Sequence, residues 1–327
     1  MRKINGVPFT AHTDLSNLTG GEVLKWSGTN MAWEDQDSTG FVPWVFGGTN
    51  YGYLAGGAWS GVGETDLIGK FSLSSDGDST DVANLAFLTG SIRAGMSSST
   101  KGYTLGGMNA SGTIGDWIQG WTFSTDSDAT DIANLTAARR EISGHSSETH
   151  GFSSGGDNSG ISSTINKFTF SSESDASTHG DLNNSVQYAA GQSSSDYGFT
   201  SGGNNGSTTS VVDKFAFASN VTASSHGDLS VARQRLTGQS SSTHGYSSGG
   251  SSTNTIDKFA FASNTTAADV GNLLVARNNA AGCSSTTHGY TAGGDNSIDK
   301  FSFSTDGDAT DVGNLTQART AAAGCQY

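Results

Sequence analysis

The chain has only two cysteines in 327 residues, Cys283 and Cys325, and they stand in the same short word, Ala281-Gly282-Cys283 and Ala323-Gly324-Cys325. Equivalent points on successive repeats lie further apart than the roughly 7 Å between Cα atoms that a disulfide tolerates, so two free thiols are expected. Neither has a cationic neighbour in sequence to activate it. Basic residues are scarce too: 16 Lys plus Arg stand against 30 Asp plus Glu, a formal net charge of −14. A phosphate backbone is held by clustered cations, and no basic run exists, so nucleic acid and anionic membrane are poor partners. Nowhere is there the run of about 18 apolar residues that a membrane-inserting helix needs. Met1-Arg2-Lys3 is basic, but Ile4-Asn5-Gly6-Val7-Pro8 does not continue into a secretory apolar region, which points to synthesis in the cytoplasm without cleavage. Charged residues are 14% and hydrophobic ones 33%, with 46 glycines. That composition alone would suit a disordered chain.

What is present argues for order. One word recurs six times: Tyr51-Gly52-Tyr53-Leu54-Ala55-Gly56-Gly57, Gly102-Tyr103-Thr104-Leu105-Gly106-Gly107, Gly151-Phe152-Ser153-Ser154-Gly155-Gly156, Gly198-Phe199-Thr200-Ser201-Gly202-Gly203, Gly245-Tyr246-Ser247-Ser248-Gly249-Gly250 and Gly289-Tyr290-Thr291-Ala292-Gly293-Gly294. The second glycines are 50, 49, 47, 47 and 44 residues apart, the period of a propeller blade rather than of a helical solenoid. The fifth copy shows the unit. Val231–Gln239 reads as a short first strand lined by small residues, and Gly245–Ser248 as a second that ends in Gly249-Gly250. A third runs through Thr255-Ile256-Asp257-Lys258-Phe259-Ala260-Phe261, with Phe259 and Phe261 on one face by the period of two. Ala268–Leu273 is the outer fourth. Four short antiparallel strands make one blade.

The expected fold is therefore all-β: a six-bladed β-propeller over 41–327, with blades at about 41–85, 86–135, 136–182, 183–229, 230–273 and 274–315. Residues 316–327 repeat a first strand alone, as a strand that closes the ring would. Phe41–Gly48 also matches a first strand, so one of the two belongs elsewhere. Residues 1–40 lack the repeat. In them Glu22–Trp26 and Met31–Glu34 flank Ser27-Gly28-Thr29-Asn30 and read as a β-hairpin. A lone hairpin is only marginally stable, so this arm, with Trp26 and Trp33, is expected to dock on a partner.

The Gly-Gly pair with Tyr three residues before its first glycine (Tyr53, Tyr103, Tyr246 and Tyr290, with Phe152 and Phe199 as substitutes) resembles the Kelch repeat, as does an Arg ahead of the first strand's glycine (Arg93, Arg139, Arg277, Arg319). The Trp that Kelch repeats carry near the fourth strand is replaced here by Asp, Ser and Thr. The wording Asp-Lys-Phe-x-Phe and Ser-Ser-Thr-His-Gly-Tyr is similar to propeller proteins of tailed, notably marine, phages. Gly21–Trp33 is similar to the Gly-x-Val-Leu-x-Trp-x-Gly-Thr-x-x-x-Trp modules of phage fibre proteins. Together the resemblances imply a virion-surface protein in many copies in a symmetric assembly, held to other virion proteins through residues 1–40. They carry no catalytic residues, so a non-enzymatic interaction protein is the leading expectation, with a glycan-binding adsorption module as the alternative and a Kelch-type enzyme such as an oxidase or epimerase as the third reading.

Candidate sites sit where the copies differ. Trp59, and Trp117 in the long insertion Met108–Gln119, are expected on variable loops, where binding usually resides. Tyr51, Lys101 and Tyr197 share one repeat position with His150, His244 and His288, and give a polar, aromatic rim suited to host-surface glycans. His179 and His226 take another position, held elsewhere by Val82, Ile132, Val270 and Val312, and a scaffold role explains both sets better than a metal. No cofactor is implied by the motifs. Three turns place carboxylates at positions 1, 3 and 6: Asp76, Asp78 and Asp81; Asp126, Asp128 and Asp131; Asp306, Asp308 and Asp311. Alternate oxygens suit Ca²⁺, yet the closing bidentate Glu of a calcium loop is missing, and side-chain capping of the turn is the competing and stronger reading.

Overall fold

The computed structural model describes residues 47–59, 63–91 and 94–327, together with the backbone of four short strands nearer the N-terminus. The chain parts into two units, Met1–Trp44 and Val45–Tyr327. In the first, Glu22–Trp26 and Met31–Asp35 pair antiparallel, with Trp26 opposite Met31 and Leu24 opposite Trp33. That is the expected hairpin. A second, two-residue ladder joins Lys3–Ile4 to Val7–Pro8. The side chains of Trp26 and Trp33, the linker at 36–40, Phe41–Phe46 and Arg93 lie outside the described residues.

The second unit is a six-bladed propeller of four-stranded antiparallel sheets. Blade five has Thr237–Ser240, His244–Ser248, Thr255–Ala260 and Ala268–Asn272, from axis to rim. Its first strand is shorter than the sequence suggested. Arg235 has φ +62°, which a strand cannot carry, so 231–236 form an approach to the strand and not part of it.

The C-terminal Ala323–Gln326 supplies the inner strand of blade one, pairing Ala323 with Ala55 and Gln326 with Gly52. The Tyr327 carbonyl then accepts the N–H groups of Asn50 (2.6 Å) and Tyr51 (2.9 Å). Gly48 is placed elsewhere: it runs parallel to Ser285 and donates to the Ser284 carbonyl at 2.7 Å. The first described strand of the propeller, Tyr51–Ala55, and its last, Ala323–Gln326, thus share a sheet, which closes the ring.

Glycine sets how tightly the inner strands converge. A Cβ on Gly95 would stand 2.1 Å from the Gly324 carbonyl oxygen, and one on Gly324 would stand 2.1 Å from that of Gly282. Gly282, Gly238, Gly191 and Gly144 continue the same contact around the ring to Gly95. Only a residue without a side chain allows it. Next to this ring, each serine amide donates to the next blade's serine hydroxyl, from Ser97 through Ser146, Ser193 and Ser240 to Ser284, at 2.9–3.1 Å.

Aromatics fasten blade to blade. The second-strand Tyr or Phe of each blade lies against the third-strand pair of the next: Phe152 stacks on Phe217 at 4.6 Å, Phe199 on Phe261 at 4.7 Å and Tyr246 on Phe303 at 4.8 Å. Each such ring buries roughly 150–250 Å². The fourth strands carry a register shift at one place in every blade, as between Ile256 and Asp257 of blade five. A bulge re-aims side chains. Here the residue it skips is Val82, Ile132, His179, His226, Val270 or Val312. His179 and His226 thereby reach the next blade and donate from Nε2 to the carbonyls of Ala216 (2.8 Å) and Ala260 (2.9 Å).

Candidate interaction surface

The propeller presents two faces, and the sequence-derived candidates divide between them. Tyr51, Lys101 and Tyr197 open the second strands of blades one, two and four. Trp59 follows the far end of its second strand, past Gly56-Gly57, where Ala58–Trp59 pairs with Gly63–Glu64. Five strand residues separate the two ends by about 13 Å. Trp117 does not sit on a loop as the sequence suggested. It opens the third strand of blade two opposite Asn134, on the same face as Trp59, with its ring 5.6 Å from the exposed Phe87.

On the first face, Tyr51 and Tyr197 are 38% and 37% exposed. Each has a lysine ammonium against its ring, Lys70 at 4.0 Å and Lys214 at 3.9 Å from the centroid. Cation–π contact holds the rings in place. Burial lowers the Lys214 pKa. Lys101 is tied down by Glu173 at 2.7 Å, and Tyr103 donates to the same carboxylate at 3.2 Å. Open grooves lie on this face between blades. One, of about 400 Å³, is lined by Tyr197, Lys214, His226, Thr222 and Asn264. Another, of about 360 Å³, is lined by Lys101, Tyr103, Thr149 and Glu173. The axial cavity is much smaller, about 50 Å³, and is bounded by the glycine and serine rings.

The three acidic turns are occupied by protein partners. Asp126 accepts Lys70 at 2.7 Å, Asp306 accepts Lys258 at 2.8 Å and Asp76 accepts Lys300. The third position bonds the preceding blade's fourth strand: Asp78 accepts the Asn314 amide at 2.8 Å, Asp128 that of Asn84 and Asp308 that of Asn272, both at 2.9 Å. Asp311 lies in the fourth strand of blade six and accepts the Gly313 amide of that strand at 3.1 Å. Asp81 belongs to the fourth strand of blade one and Asp131 to that of blade two. Among the described residues no three His, Cys, Asp or Glu side chains converge as a metal site. Carboxylates one and three of each turn point to different partners in a neighbouring blade, which is the geometry of a staple.

His150, His244 and His288 bond the threonine before them through Nδ1 at 2.7–2.8 Å. Arg140 pairs with Asp157 at 3.4 Å, whereas Arg139 is buried and gives its guanidinium to the Gly155 carbonyl (2.7 Å) and Asn166 (2.7 Å).

The structure gives a role to the residue after each inner glycine, where the sequence shows Cys283 and Cys325 in place of Gln192 and Gln239 but leaves His145 unremarked. Gln192 donates from Nε2 to the Tyr246 carbonyl in the next blade at 3.0 Å, and Gln239 to that of Tyr290 at 3.1 Å. The Cys283 thiol does the same to Tyr53 at 3.5 Å, and the Cys325 thiol to Tyr103 at 3.5 Å. Both cysteines are free and buried, although the inner strands converge more closely than the repeat spacing suggested, with the Cys283 thiol 3.3 Å from the Cys325 carbonyl oxygen. Burial pushes the Cys283 thiol well up and that of Cys325 to about 12. In blade three the position is His145. Its Nδ1 faces the Gln192 carbonyl at 3.1 Å, which fixes the proton there, and its Nε2 accepts from the Ser154 hydroxyl at 2.8 Å. Its alignment with Gln192 and Gln239 was the available signal.

No protein-family model matches the chain, and no curated protein matches it.

Proposed function

We propose that this protein is a non-enzymatic interaction component of a phage virion, a fibre, appendage or decoration protein, in which the propeller is the binding module and residues 1–40 dock it to other virion proteins. The observation that carries the reading is where the polar side chains go. Those repeated in the copies are bonded between blades, while those that differ, Tyr51, Lys101 and Tyr197 on one face and Trp59 and Trp117 on the other, lie at or near the surface. Variable residues on a rigid scaffold are where recognition resides. The virion assignment rests on the fibre-like hairpin word, Gly21–Trp33. Many weak contacts multiplied by copy number would supply the avidity.

Quantitative mass spectrometry of density-purified particles tests this. The protein is expected in several copies per particle, and a Trp26→Ala/Trp33→Ala variant is expected to remain folded but drop out of particles. Particles that lack the wild-type protein overturn the reading.

A second reading, a glycan-binding adsorption module, is favoured by the 400 Å³ groove beside Tyr197, where an exposed ring adjoins His226, Asn264 and hydroxyl side chains. Sugar rings stack on aromatic faces and bond such groups. A glycan array with multivalent protein should give hits that Tyr197→Ala removes without a change in melting temperature. No binding at high valency sinks it.

A further inference from the structure

The residue six positions before each inner-strand neighbour of glycine is an arginine in four blades, and it works the same way in each. In blade five Arg233 (1% exposed) donates to Asp257 (0%) at 2.9 Å and to the Thr255 and Ser247 carbonyls at 3.0 and 3.2 Å. In blade six Arg277 pairs with Asp299 at 2.9 Å and reaches the Gly293 carbonyl at 3.2 Å. Blade three matches Arg139 with the neutral Asn166. Blade one places Arg319 on the Leu67 and Leu54 carbonyls, with Gly69 where the acid would be. Blade two has Gly90 and the neutral Gln119 at the two positions.

Blade four keeps the acid and has lost the base: Val186 stands at the arginine position and Asp213 at the carboxylate position. Asp213 is 4% exposed. Its Oδ2 takes the Asn183 and Asn184 amides at 3.0 and 3.4 Å, as Asp257 takes that of Ser230. Its Oδ1 is buried with no partner. Beside it lies a cavity of about 10 Å³ bounded by Val186, Thr200, Gly202 and Val211. Thr200, Gly202 and Val211 are the backbone positions whose counterparts accept the guanidinium in blades five and six. Asn184, Asn205 and Thr209 complete the lining, and none of them bonds Asp213 Oδ1.

We propose that blade four binds one small monovalent cation, sodium being the simplest, in the slot left open by Val186, between Asp213 Oδ1 and main-chain carbonyls. One unpaired carboxylate balances one positive charge, whereas calcium is held by six to eight oxygens and usually several carboxylates. The volume suits a single water-sized occupant. An isolated buried carboxylate is costly unless a cation or a proton neutralises it. Burial raises the Asp213 pKa to about 6, so pH 8 is the condition that favours its ionised form.

Calorimetry of the full chain at pH 8 tests the site, with N-methylglucamine replaced by sodium at constant ionic strength. The melting temperature is expected to rise saturably, by about 3 °C. Asp213→Asn should abolish the response. Val186→Arg, which restores the pair seen in blade five, should abolish it too and raise the melting temperature in N-methylglucamine. Sodium NMR line broadening that Val186→Arg removes gives a readout independent of folding of the asparagine variant. A flat wild-type response means that the carboxylate takes a proton instead, and overturns the proposal. So does a sodium response that survives in a folded Asp213→Asn protein.

Discussion

The Tyr290 hydroxyl donates to the Leu73 carbonyl at 2.9 Å, joining blade six to blade one across 217 residues of sequence. The Tyr290 ring also lies 5.6 Å from Phe71. This is the seam's counterpart of the ring contacts made between the other blades. Tyr290→Phe removes only the hydrogen bond and should cost about 1 kcal/mol, whereas Tyr290→Ala also opens a cavity and should cost about 4 kcal/mol. Urea unfolding of both variants checks the order. Equal losses would show that packing at the seam contributes little.

Gly238 sits with its missing Cβ 2.1 Å from the Gly191 carbonyl oxygen. Backbone cannot give way there without spreading two inner strands. Gly238→Ala should destabilise by about 3 kcal/mol, at the upper end of overpacking costs, while alanine at the open Gly160 loop should cost much less, only the strain of φ +159°. Thermal melts of the pair decide it.

His145 gives a pH dependence of defined sign. Burial lowers its pKa from 6.5 to about 4. Between those values the unfolded chain binds a proton that the folded chain does not. Stability is therefore fully present above about pH 6.5, falls as the pH drops, and levels off below about pH 4, a loss of at most about 3 kcal/mol. His145→Gln, which installs the residue that blades four and five use, should remove this component. Denaturation curves at pH 7.5, about 5.5 and about 4.5 for both proteins compare the slopes, in the window set by those two pKa values.

Cys283 and Cys325 are sealed between blades with raised thiol pKa values. Native protein at pH 8 should resist alkylation, and two thiols should react after denaturation. Cys283→Ser keeps a donor for the Tyr53 carbonyl and should be tolerated better than Cys283→Ala. Rapid labelling of the native state would contradict the burial.

Much of the ring was legible because its devices recur. The Gly-Gly pairs count blades, since each must adopt positive φ (Gly249 +63°, Gly250 +87°), and the third-strand aromatics mark the blade interfaces. Two segments could not be ranked, because Phe41–Gly48 and residues 316–327 each match a first strand. Pairing partners are decided by ring closure, which no local pattern encodes. Nor could spacing show that Trp59 and Tyr51 face opposite ways, or that Asp213 lacks its arginine. That last point needs the register of two distant positions, Val186 and Asp213, brought together by one sheet.

The most direct test is a density map of the intact particle. Ring-shaped density of six blades on the exterior, joined to neighbouring protein through residues 1–40 and presenting the Tyr51–Tyr197 face or the Trp59–Trp117 face outward, is the expected result. A particle whose surface carries no such ring, with the protein found free in the infected cell, would contradict it.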